Sequence, residues 1–166
     1  FAEHTQPAVR GVLRMIDAIR TAYTQRLPDL PWLDAAARAE ARAKLHGLQA
    51  HIGAPAQPNA MDAEAIDAWY ADLPIGGAHW ANVLAARMHA HRQAWSLLGG
   101  ERPRGSLAAR HTTDAHAAYS ALDNAIVCPA GLLQLPFYER DAPMYLQYGA
   151  LGTLLAHEMT HAIDTP

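Results

Sequence analysis

The chain is 166 residues long, carries a net charge of −3 and contains one cysteine, which is about the size of one ordinary domain. Cys128 alone supports neither an internal disulfide framework nor a cysteine zinc site. No apolar run is long enough to span a bilayer, and the first residues do not resemble a secretory signal. Thirteen basic residues scattered through a weakly acidic chain argue against nucleic acid as the partner. Thirty-six alanines, with aromatics at only 7%, favour a mainly helical chain, because alanine is the strongest helix former.

In chain order, Val9, Leu13, Ile16, Ile19 and Tyr23 recur every three or four residues, which predicts a helix from Pro7 to about Arg26. Pro28 and Pro31 end it, since proline disrupts a helix interior. A second helix is expected from about residue 33 to 51, with Asp34 as N-cap and Gly53 and Pro55 marking its end. A shorter helix runs through Trp69 and Tyr70, and a longer one from His79 to about Leu98. Residues 99–106 have the composition of a loop and mark the best boundary, dividing the chain into 1–105 and 106–166. Beyond it, residues 115–119 and 125–127 read as two short strands of a hairpin, and 143–164 as a helix with Tyr148, Leu151, Leu155 and Met159 along one side.

That last helix contains His157-Glu158-Met159-Thr160-His161, an H-E-x-x-H pattern. Residues four apart on a helix lie on one face with Cβ atoms about 5–6 Å apart. Two imidazoles so placed can share one Zn²⁺ with bonds of about 2.0–2.1 Å. Glu158 lies a quarter turn away, near enough to take a proton from a metal-activated water without itself being a ligand. Ten histidines and six glutamates would generate this pattern in only about 2% of shuffled chains. A catalytic zinc normally takes three protein ligands, and the chain stops at Pro166 before a third histidine or a later glutamate can follow. Glu139, Asp141 and Asp123 remain open as substitutes.

The surroundings carry a resemblance. The stretch Asp123-Asn124-Ala125-Ile126-Val127-Cys128-Pro129-Ala130-Gly131-Leu132-Leu133-Gln134-Leu135-Pro136-Phe137-Tyr138, and Tyr148-Gly149-Ala150-Leu151-Gly152 leading into the histidine motif, resemble the neprilysin and endothelin-converting-enzyme family of zinc peptidases. Trp32-Leu33-Asp34-Ala35, then Ile52-Gly53-Ala54-Pro55, resemble the segment that precedes that family's catalytic region. The resemblance implies a zincin-like catalytic domain preceded by helices of a lid. Residues 1–105 would be the end of that lid and a linker, and 106–166 the front half of the catalytic domain.

By the same resemblance, His157 and His161 are zinc ligands, Glu158 is the general base, and the activity is hydrolysis of peptide bonds. Residues 115–119 match a substrate-pairing edge strand, a form of β-augmentation, which assigns His116 and Ala117 to substrate binding. Here His116 stands where the family has asparagine. Leu132, Phe137 and Leu154 match a pocket for a bulky apolar residue after the scissile bond. The family's third ligand is a glutamate in a Glu-x-x-x-Asp pattern beyond the histidines, which a further stretch of the parent chain or a second chain would have to supply. An inactive peptide-binding or interaction module that keeps the fold is the alternative. The expected setting is periplasmic or secreted, with the cytoplasm also open.

Overall fold

The computed structural model describes residues 2–55, 58–60, 62–100 and 114–164. The described residues of 1–54 and 111–166 form one compact unit, and those of 55–110 form another.

The first unit begins with α1 (Ala2–Arg26), which starts earlier than expected and accommodates Pro7 within it. Its buried ridge is Ala8, Val12, Met15, Ile16 and Ile19, each within about a turn of the next. Leu13 falls off this ridge, one residue step round from Val12, and is exposed, contrary to its expected place in the apolar stripe. After a short turn (Leu27–Asp29) that buries Leu27, helix α2 (Ala35–Gly47) opens on Asp34, whose carboxylate accepts from the Ala37 N–H at 2.7 Å. Ala41 and Leu45 turn inward.

The expected continuation of this helix to residue 51 is not what forms. Gly47 ends it, and Gln49–Gly53 is strand β1. β1 pairs in parallel with β3 (Ala125–Pro129), and β2 (Ala118–Ser120) pairs antiparallel with β3 on the other side. Five registered residues of β1, Gln49 to Gly53 against Ala125 to Pro129, outweigh a local helical pattern. The sheet order is β1-β3-β2, so β3 is central, and Ala125, Ile126, Cys128 and Pro129 are buried. Both expected hairpin strands form, but β2 begins at Ala118 and leaves His116 and Ala117 before it.

The chain then packs Leu132 into the core and enters α5 (Met144–Gln147), a widened turn (Tyr148–Gly152) and α6 (Thr153–Asp164). These are collinear with the expected last helix, and Leu151, Leu155 and Met159 are fully buried as its spacing requires. Two glycines allow close packing. A Cβ on Gly11 would collide with the Tyr138 hydroxyl, and one on Gly152 would crowd the Met15 sulfur and the Tyr148 ring.

Because β1 belongs to the sheet beneath α6, the expected division at residue 105 is not the one the contacts draw: residues up to 54 pack with the zinc-motif segment. The expected linker lies mostly outside the described residues, as residues 101–113 do.

The second unit holds α3 (Ala63–Tyr70) and α4 (His79–Ser96). Asp62 caps α3 through the Glu64 and Ala65 N–H groups. Asn82 bridges both backbone groups of Gly76, accepting its N–H at 2.9 Å and donating to its carbonyl at 2.8 Å. His89 is buried against the Trp69 and Tyr70 rings. Trp80, Leu84, Met88 and Trp95 along α4 are exposed.

Candidate metal centre on the last helix

His157 and His161 stand one turn apart on α6, their Nε2 atoms 3.3 Å apart and their rings nearly perpendicular at 82°. Two nitrogens bonded to a tetrahedral Zn²⁺ at about 2.0–2.1 Å lie about 3.3–3.4 Å apart. The pair therefore already has the spacing of two zinc ligands, and its donor set suits the ion. The His161 ring is oriented from behind: its Nδ1–H donates to Asp164 Oδ1 at 3.2 Å, which leaves Nε2 with its lone pair forward. His157 is exposed, and His161 is partly so.

Glu158 is more enclosed than the two histidines that flank it. It is buried at 9% exposure, and its Oε2 accepts the backbone N–H of Tyr119 on β2 at 2.8 Å. A buried carboxylate needs such a donor, since burial without one is costly. The backbone of the motif is tied to α1, where the Tyr23 hydroxyl donates to the Ala156 carbonyl at 3.1 Å and meets the Thr160 hydroxyl at 2.6 Å. Helix α6 is thus fixed on one side by α1 and on the other by β2.

The acids left open as third ligand do not join the histidines. Among the described residues, no three metal-ligating side chains gather. Asp141 accepts from Arg140 Nε and Nη2, each at 3.1 Å, and that guanidinium keeps its carboxyl below the usual carboxylate range. Asp123 accepts from the Ser120 hydroxyl, and Glu139 is exposed.

Of the residues assigned to substrate, His116 is exposed and Ala117 is buried at 5%, so these neighbours face opposite ways. Leu132 has no exposed surface, while Phe137 and Leu154 are partly buried against the same core cluster. Cys128 is buried in β3, and that burial pushes its thiol up to about 12. The Tyr119 amide, Asp164 and Tyr23 were not anticipated. Asp164 could have been, since it sits three residues after His161, on the same helix face. A backbone amide has no signature in the sequence.

Comparison with known proteins bears on this arrangement. Two family models, both described as Peptidase family M13, match residues 1–55 and 116–166, the two stretches that contribute to the first unit. Neprilysin-2 of Drosophila melanogaster is 33% identical over 157 residues, covering 93% of this chain and 20% of the relative. An endothelin-converting enzyme homolog of Locusta migratoria is 34% identical over 166 residues, covering 99% and 22%. The chain therefore spans about a fifth of the length of these relatives. Among solved structures, the Mycobacterium tuberculosis zinc metalloprotease ZMP1 bound to an inhibitor superposes with a TM-score of 0.81 at 27% identity, over 95% of this chain and 23% of that one. PepO from Lactobacillus rhamnosis does so with 0.79 at 25% identity, over 96% and 24%.

Proposed function

This chain belongs to peptidase family M13, and from that premise we propose that it carries the metal-binding half of a zinc-dependent endopeptidase or oligopeptidase. The observation that carries the reading is the 3.3 Å separation of the His157 and His161 Nε2 atoms, beside a buried carboxylate on the same helix.

His157 and His161 would hold the zinc, with Asp164 fixing the orientation of the second ring. When bound, the metal supplies Lewis-acid polarisation of the scissile carbonyl and of the attacking water. Glu158 takes the proton from that water and returns it to the leaving amine. One of its oxygens is committed to the Tyr119 N–H, which leaves the other to carry the proton. The third ligand, by family resemblance a glutamate, comes from the remaining part of the catalytic domain, in the same parent chain or a second chain. Substrates are peptides laid along β2, with His116 and Ala117 at its entrance. Leu132, Phe137 and Leu154 back an apolar pocket for a bulky residue after the scissile bond. A periplasmic or secreted setting suits such an enzyme, and no helix among the described residues is long and apolar enough to cross a membrane.

A second reading, an inactive peptide-binding module, draws support from the absence of a gathered third ligand among the described residues. Glu158→Gln separates the two. In the complete enzyme it should abolish cleavage of a quenched peptide while zinc content stays near one per chain, since Gln keeps the shape and loses the base. Turnover at the wild-type rate removes Glu158 from the base role. No turnover in the unaltered protein loaded with zinc favours the binding module.

A further inference from the structure

The turn between β2 and β3 ends on Asn124, whose φ of 45° lies in the left-handed region that asparagine tolerates better than most residues. Three of its polar groups are each committed to a different element. Its Oδ1 accepts the Tyr119 hydroxyl at 2.9 Å, its Nδ2 donates to the Lys44 carbonyl in the last turn of α2 at 2.9 Å, and its own carbonyl accepts the Gln49 N–H at the start of β1 at 2.9 Å. Tyr119 is therefore held at its ring by a residue anchored on α2 and β1. Its backbone N–H, facing away from β3, holds Glu158 Oε2. Burial raises the Tyr119 phenol above its ordinary value, so the hydroxyl keeps its proton and remains a donor.

We propose that Asn124 is a positioning residue for Glu158, acting through Tyr119: it fixes the short edge strand β2 so that the Tyr119 N–H clamps one carboxylate oxygen and leaves the other for proton transfer. This rests on the reading of Glu158 as the base. β2 is only three residues long, and its ladder bonds to β3 do not by themselves fix how far its outer edge stands from α6. The Asn124 carboxamide supplies that constraint by tying the hairpin to α2 through the Lys44 carbonyl. Loss of it lets β2 shift, and general-base catalysis is sensitive to sub-ångström displacement of the carboxylate.

Two variants test this. Asn124→Gly keeps the left-handed turn and removes the carboxamide; Tyr119→Phe removes only the hydroxyl. Both should speed hydrogen exchange of the Tyr119 amide by about tenfold relative to the Ile126 amide of central β3, measured on the zinc-free chain by NMR. In the complete enzyme both should lower kcat by about tenfold while KM and zinc content stay within about twofold. Equal acceleration at Tyr119 and Ile126 would mean general loosening and overturns the proposal. So does wild-type kcat in both variants. If instead Glu158→Gln retains turnover, the base assignment fails, while the exchange measurement still reports whether Asn124 holds the Tyr119 N–H on Glu158.

Discussion

Helices α6 and α4 both carry large apolar residues at helical spacing, but they end in different environments. In α6 the apolar residues Leu155 and Met159 have no exposed surface, and the helix is tied by side-chain hydrogen bonds to α1 and β2. In α4, Trp80, Leu84, Met88 and Trp95 are between 54% and 80% exposed, and His89 is its one buried residue. An apolar stripe at helical spacing is thus enough to form a helix, but not to give it a partner within these residues. What distinguishes α6 is the sheet beneath it and the polar anchors on its flanks. Those anchors hold the face that carries His157 and His161 at a defined angle, as a site built on a rigid element requires.

The largest effect expected from this contrast is on stability. Leu155→Ala should cost about 2–5 kcal/mol, the range for opening a cavity in a filled core, whereas Leu84→Ala on α4 should cost no more than about 0.5 kcal/mol. Chemical denaturation of the two variants measures both. Comparable losses would show that α4 is covered in solution and that the contrast is false.

A pH-dependent effect comes next. Burial pushes the Cys128 thiol up to about 12, from 9.0 for a free thiol. The folded state therefore binds this proton more tightly than the unfolded chain does. Its contribution is fully present below about pH 9 and is lost as pH rises from 9 towards 12. At pH 8 the native thiol should resist alkylation and react only on unfolding. Rapid labelling of the native protein would mean that central β3 opens.

A more modest loss is expected at a helix cap. Asp34→Ala should destabilise the protein by about 1 kcal/mol through loss of the bond to the Ala37 N–H, a change that thermal unfolding resolves.

Much of this was legible in the residues, and what was not has a common cause. The Asp34 cap, the α4 span, the two hairpin strands and the buried side of the last helix follow from local spacing and capping chemistry. The parallel strand β1 does not, because its partner Ala125–Pro129 lies more than seventy residues on, and Leu48 to His51 read locally as more helix. The same distance hid the grouping of residues 1–54 with the motif. Of the site, the histidine pair and its neighbouring acid are visible as a motif. The Tyr119 N–H and the Asn124 carboxamide are visible only once the hairpin stands against α6. Leu13 leaves the ridge for a simpler reason: one residue step is about 100° of helix, enough to carry an apolar side chain off the buried side.

The proposed chemistry stands on two imidazoles of α6 forming one face of a zinc site. X-ray absorption at the zinc edge tests it most directly, with the metal added to the protein and to the His157→Ala and His161→Ala variants. Two imidazole nitrogens at about 2.0–2.1 Å are expected in the unaltered protein, and one fewer in each variant. A spectrum without histidine nitrogen, or one unchanged by either substitution, contradicts it.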